Sequence, residues 1–238
     1  MFNYNSKINN VGKYLRFNGW STIAFIEENQ QNFVNMLEEY LTKEPVLSYY
    51  FSALPHSSYH VTVHNIWANG AKLLPHQSRF LNDNYSGDEK KKLINRASKK
   101  GYFNPDSCMD KLLTKLDEAL PQVGTTELVI GGLYFTGNTL AIWFSDESNT
   151  NNLDLCRSVC NKIVEKNERV EYHMTLAYNY RDVIWSDISE YIEEMNNKLK
   201  GTSIKLQQPF VAYFSDMTKF IPYTFTLGFK CNEKMVWE

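Results

Sequence analysis

The sequence predicts an α+β fold with two related halves. Two observations lead there. The order strand–helix–strand occurs near the start of the chain and again in its last part. In both places the second strand opens on Tyr-His, at Tyr59-His60 and at Tyr172-His173. A third observation bears on domain organisation: no Pro/Ser-rich linker or low-complexity tract divides the 238 residues, so one domain, 1–238, is the simplest account.

The elements follow in order. Ser21 to Ile26 is β-branched and aromatic and reads as a strand. Asn29 to Lys43 carries a helical apolar stripe at Phe33, Met36, Leu37, Tyr40 and Leu41, stopped by Glu44-Pro45. Tyr59 to Trp67 is a strand by composition. A mainly helical insertion is expected over about 71–121, with Ser107 and Asp110 resembling a capping box ahead of Met109, Leu112, Leu113, Leu116 and Leu120. Glu127 to Gly131 and Thr139 to Phe144 read as strands joined by a turn at Gly137-Asn138. A helix from about Asn152 to Val164 leads to a strand over Tyr172 to Tyr178. Ile184, Ile188, Tyr191, Ile192, Met195 and Leu199 mark a further amphipathic helix. Two late strands, Phe210 to Phe214 and Phe225 to Lys230, complete the chain.

Composition excludes several classes. Lys+Arg 25 against Asp+Glu 27 leaves a net charge of -2, which argues against coating long nucleic acid with a basic surface and is compatible with a small anionic substrate in a local pocket. No apolar run approaches the ~20 residues of a membrane-spanning helix, and the Asn-rich start, Met1 to Asn18, does not read as a secretory signal. Cys108, Cys156, Cys160 and Cys231 form no C-x-x-C pair; Cys156 and Cys160 share a helix face and read as core, so a reducing cytoplasm is the expected compartment.

Chemistry is concentrated in the repeated tetrads Tyr59-His60-Val61-Thr62 and Tyr172-His173-Met174-Thr175. Residues i and i+2 of a strand share a face, so each tetrad presents one imidazole beside one hydroxyl, with Val61 or Met174 turned into the core. If the halves pair about a pseudo-twofold, the His-Thr pairs meet across a cleft. Such a set suits phosphodiester hydrolysis without metal or cofactor. One neutral His takes a proton from water, one charged His gives a proton to the departing oxygen, and the Thr hydroxyls hold the non-bridging oxygens. A single H-x-T carries almost no information; two copies, each after Tyr and each after a helix, carry much more.

On these residues the chain resembles the 2H phosphoesterase superfamily, defined by two H-x-[ST]-x motifs, matched here by His60-Val61-Thr62-Val63 and His173-Met174-Thr175-Leu176. The run from Ser52 to Val63 also resembles the Leu-Pro lead-in of the LigT-like branch, which includes cyclic phosphodiesterases and 2′-5′ RNA ligases. The resemblance implies a bilobal fold in which two pseudo-twofold-related antiparallel sheets form a cleft, with helices outside. It implies catalytic roles for His60 and His173 and phosphate-binding roles for Thr62 and Thr175. Its substrates include cyclic phosphates, 2′-5′ oligoadenylates and cyclic dinucleotides. The departure is the spacing, 113 residues between the two histidines, to which the insertion contributes.

Further candidates for substrate contact are His64, placed by alternation on the face of His60 and Thr62; Tyr178, as a stacking platform; and Lys13 and Arg16, ahead of the first strand. A zinc site on His60 and His64 is the rival chemistry, and no H-E-x-x-H or equivalent supports it. His56 and His76 read as surface, Tyr59 and Tyr172 as core. Lys90, Lys91, Lys92, Arg96, Lys99 and Lys100 form a basic run that reads first as a solvated helix face. The expected function is a metal-independent phosphodiesterase acting on a cyclic or 2′-5′-linked nucleotide or RNA end. A non-catalytic nucleotide-binding module and a 2′-5′ RNA ligase-type transesterase are the alternatives. No long nucleic acid and no membrane partner is expected, and the sequence is silent on oligomeric state.

Overall fold

A computed structural model describes residues 7–68, 71–92 and 108–223. Two antiparallel sheets form the body, as expected. The first sheet contains β1 (Gly19–Phe25), β3 (His60–Ala68), β8 (Phe210–Asp216) and β9 (Lys219–Pro222), in the order β3-β1-β8-β9. The second contains β2 (Phe51–Ala53), β4 (Thr126–Phe135), β5 (Thr139–Phe144), β6 (His173–Asn179) and β7 (Ser203–Leu206), in the order β2-β6-β5-β4-β7. Element for element, β3-β1-β8-β9 corresponds to β6-β5-β4-β7, with β2 added outside β6. The two motif strands, β3 and β6, stand at corresponding positions and touch each other across the sheets.

The described helices are α1 (Gln31–Lys43), α2 (Pro45–Tyr50), α3 (Pro75–Asn84), α4 (Cys108–Ala119), α5 (Asn151–Val164) and α6 (Trp185–Leu199). The stop expected at Glu44-Pro45 is there. Glu44 is extended (ψ 113), and Pro45, which has no N–H to satisfy, opens α2, while the Glu44 carboxylate accepts from the Val46 amide at 3.4 Å. The turn before β5 is built on Gly137 at φ +91, a conformation that favours glycine. Apolar faces of α5 and α6 are buried as their stripes require: Leu153, Cys156, Cys160 and Val164 on α5, Ile188, Ile192, Met195 and Leu199 on α6. In the insertion region Arg79 of α3 grips Glu165 at the end of α5 with both terminal nitrogens.

Each helix that follows a first strand packs across the molecule. α1, which follows β1 of the first sheet, lies on β2 and β6 of the second; α5, which follows β5 of the second sheet, lies on β3 of the first. Cys160 Sγ of α5 reaches Thr22 Oγ1 of β1 at 3.4 Å, and both residues are fully buried. One core results from this exchange.

Three elements escape the sequence reading: α2, β2 and β7 are three to six residues long and carry no period. β9, at Lys219–Pro222, replaces a loop in the same reading. The expected strand Phe225 to Lys230, the capping Ser107, and Arg96, Lys99, Lys100 and Cys231 lie outside the described residues.

Candidate active site

His60 and His173 are the first residues of β3 and β6 and line one cleft of about 550 Å³ together with Thr62 and Thr175. All four side chains are half-buried, while Val61 and Met174 between them are fully buried, the alternation the tetrads require. Tyr59 and Tyr172, one residue earlier, belong to the core.

The two imidazoles are wired alike. His60 Nδ1 lies 2.7 Å from the carbonyl of Ser58, and His173 Nδ1 lies 2.9 Å from the carbonyl of Glu171. A carbonyl only accepts, so in both rings Nδ1 carries the hydrogen and Nε2 is the atom left to exchange a proton. The bond runs to the residue two positions back, so the strand's own backbone sets tautomer and orientation. Each ring also faces an aromatic partner from the adjacent strand: Phe25 pairs with His60 and Trp143 with His173.

Surroundings separate the two. His60 sits between Phe220, 4.1 Å away between centroids, and the edge of Phe25 at 6.4 Å. Loss of solvent among these rings pushes its pKa from 6.5 down to about 4, the Ser58 carbonyl opposing and the nearby His173 and Lys7 assisting. His173 instead stacks on the indole of Trp143, 4.9 Å apart and 23° between planes.

A register shift in β3 removes His64 from the site. Ile23 pairs with Thr62 and Thr22 with His64, so Val63 is skipped as a bulge. Alternation restarts out of phase. Asn65, not His64, then faces the cleft, and His64 is fully buried with Nε2 3.2 Å from the Lys166 carbonyl. The expectation that His64 shares the face of His60 and Thr62 is therefore corrected, and with it the zinc reading on His60 and His64. Arg157 of α5 secures the bulge by donating Nε–H to the Val63 carbonyl at 2.8 Å, and lays its guanidinium 3.8 Å from the Tyr172 ring centroid. One side chain thus joins the residue after Thr62 to the residue before His173.

Lys13 and Arg16 are exposed and do not line the cleft, a second correction. The chain before β1 doubles back. Ile8 bridges Tyr14, the Leu15 amide donates to the Lys7 carbonyl at 2.9 Å, and Gly12 at φ +82 makes the turn. This fold-back points Lys7, not Lys13, into the cleft. Lys7 Nζ lies 5.0 Å from the Phe17 centroid and 5.3 Å from that of Tyr178, and donates to Tyr178 Oη at 3.2 Å. Nothing in the local sequence around Lys7 marks it. Tyr178 lines the cleft but is only 5% exposed, with Tyr14 edge-on to it and Lys7 over its ring, so it seats Lys7 and offers no open face to a base.

The first residues of the insertion, Ala71 to Pro75, line the cleft; Lys90, Lys91 and Lys92 do not. His56 and His76 are also away from it, His56 bound through Nδ1 to the Glu38 carboxylate. Among the described residues no group of three His, Cys, Asp or Glu side chains is arranged to hold a metal ion, and no helix is long and apolar enough to cross a membrane.

No family model matches the chain. An uncharacterized protein of Invertebrate iridescent virus 6 is 27% identical over 190 residues, 77% of this chain and 75% of the viral one. Among solved structures, a conserved protein of unknown function from Agrobacterium tumefaciens shares the fold at TM-score 0.68 and 16% identity, over 93% of this chain and 90% of that one. LigT of E. coli aligns at TM-score 0.48 and 7% identity, over 88% of this chain and 96% of that one.

Proposed function

We propose that the chain is a 2H-type phosphoesterase that hydrolyses a cyclic or 2′-5′-linked nucleotide phosphodiester. The observation that carries this reading is the pairing of two His-Thr sets on corresponding strands of two facing sheets, each imidazole anchored through Nδ1 to its own backbone. His60, kept neutral by its phenyl neighbours, accepts the proton of the attacking water at Nε2. As the new P–O bond forms and the bond to the leaving oxygen breaks, His173 delivers its Nε2 proton to that oxygen. The Thr62 and Thr175 hydroxyls donate to the non-bridging oxygens, where charge grows. The product is a phosphomonoester and a freed hydroxyl, on two molecules for a 2′-5′ linkage and on one for a cyclic phosphate, and proton exchange with water resets both rings.

The test uses a panel of 2′,3′-cyclic mononucleotides, 2′-5′ oligoadenylate and cyclic dinucleotides, with EDTA present. Wild type is expected to hydrolyse at least one class, and His60→Ala and His173→Ala each to lower turnover by ~10² or more. Undiminished turnover in either variant would sink the two-histidine mechanism. A phosphodiester with a 4-nitrophenolate leaving group separates the roles, because that group departs without a proton. His173→Ala is expected to recover most of its activity on it and His60→Ala none; the reverse result exchanges the assignment.

A further inference from the structure

Beside the hydroxyls and imidazoles of the two motifs, cationic side chains line the cleft, Lys7, Lys72, Arg157 and Lys166, and a phosphodiester brings a full negative charge to them. We infer that the N-terminal fold-back, residues 7–17, is part of the active site and supplies Lys7 as the ammonium that binds the substrate's anionic group beside His60. The inference rests on the phosphoesterase reading and extends it to a residue that no motif includes.

Four observations support it. Lys7 lines the same cleft as His60, Thr62, His173 and Thr175. Its ammonium is held over the rings of Phe17 and Tyr178 and donates to the Tyr178 hydroxyl, contacts that fix its position at the cleft. The holder is built for the purpose of position: Ile8 is 2% exposed, Asn9 Oδ1 accepts from the amides of Val11 and Lys13, and Gly12 lies against the Tyr180 ring at a backbone angle that side chains resist. Finally, the charge of Lys7 is felt at His60, where it works against protonation. The loop would therefore do two things at once. It attracts the anionic substrate, and it helps keep the base free to accept a proton.

Lys7→Met removes the charge and keeps much of the apolar stem over Phe17; Lys7→Arg keeps the charge. Binding of inorganic phosphate and of adenosine 2′-monophosphate is measured by calorimetry at two salt concentrations. Wild type and Lys7→Arg are expected to bind, and Lys7→Met to bind ~10-fold or more weakly with a flatter salt dependence. On whichever panel substrate wild type turns over, Lys7→Met is expected to lower kcat/KM ~10-fold or more and to move its acid limb to higher pH, because His60 loses a positive neighbour. A purely structural role would move neither the limb nor the salt dependence. Equal binding by wild type and Lys7→Met, or an equal loss in Lys7→Arg and Lys7→Met, would overturn the inference, as would the failure of wild type to bind either probe. Hydrolysis that depends on both histidines but not on Lys7 would overturn the inference and leave the phosphoesterase reading standing.

Discussion

His60 and His173 have the same backbone bond at Nδ1 and different neighbours, Phe220 and Phe25 around one ring and the Trp143 indole against the other, and the two proton-transfer roles proposed for them rest on that contrast. Placing an imidazole among phenyl rings penalises its charged form. Neutral His60 therefore persists down to about pH 4, well below the ordinary 6.5. For a base in the free enzyme this sets the acid limb of kcat/KM, which is expected near pH 4; a limb near 6.5 would contradict the assignment of His60 as base. The same depression links to stability. The unfolded chain binds a proton at this residue over the window from about 6.5 to about 4, so the contribution of His60 is present above 6.5 and is lost as pH falls through 4. His60→Ala is expected to lose less stability than wild type over that window, read from urea midpoints.

Among the elements, β3 decides the most. Its bulge at Val63 leaves a carbonyl outside the ladder, and Arg157 supplies the donor. Arg157→Met is expected to destabilise by ~1–3 kcal/mol, the cost of an unsatisfied buried acceptor. It should also lower kcat, because Thr62 immediately precedes the bulge. Equal urea midpoints at equal m for variant and wild type would show that the bulge does not need Arg157. The bulge also marks where strand reading stops working. Alternation over His60-Val61-Thr62 is correct to the residue, then fails at His64, because a bulge is chosen by how the partner strand and α5 fit and not by the order of apolar and polar residues. β2, β7 and β9 are unread for a related reason: strands of three or four residues are held by neighbours already in place.

At the level of the whole molecule, the exchange of α1 and α5 between the sheets makes each half depend on the other. Loss of α1 uncovers β2 and β6 of the second sheet, and loss of α5 uncovers β3 of the first. Unfolding is expected to be one cooperative transition despite the two-sheet plan. Trp20 and Trp67 report on the first sheet and Trp143 on the second, so fluorescence of variants that keep only one set should give coincident urea transitions. Two separated midpoints would show that the halves fold independently.

What the sequence determined by itself is the set of local periodicities and the repeated tetrad: α+β class, the long helices with their buried stripes, the turn on Gly137, and two His-Thr pairs on strand faces. These follow from side-chain alternation and apolar spacing, which neighbouring residues settle among themselves. The tertiary structure alone decided that His64 leaves the cleft, that the two histidines sit in different electrostatic surroundings, and that Lys7 arrives where Lys13 and Arg16 do not. Each of these depends on groups distant along the chain: Arg157 at the bulge, Phe220 against His60, Tyr178 beneath Lys7. Desolvation and charge are properties of what surrounds a side chain in space, and the chain order around His60 or Lys7 does not contain those neighbours.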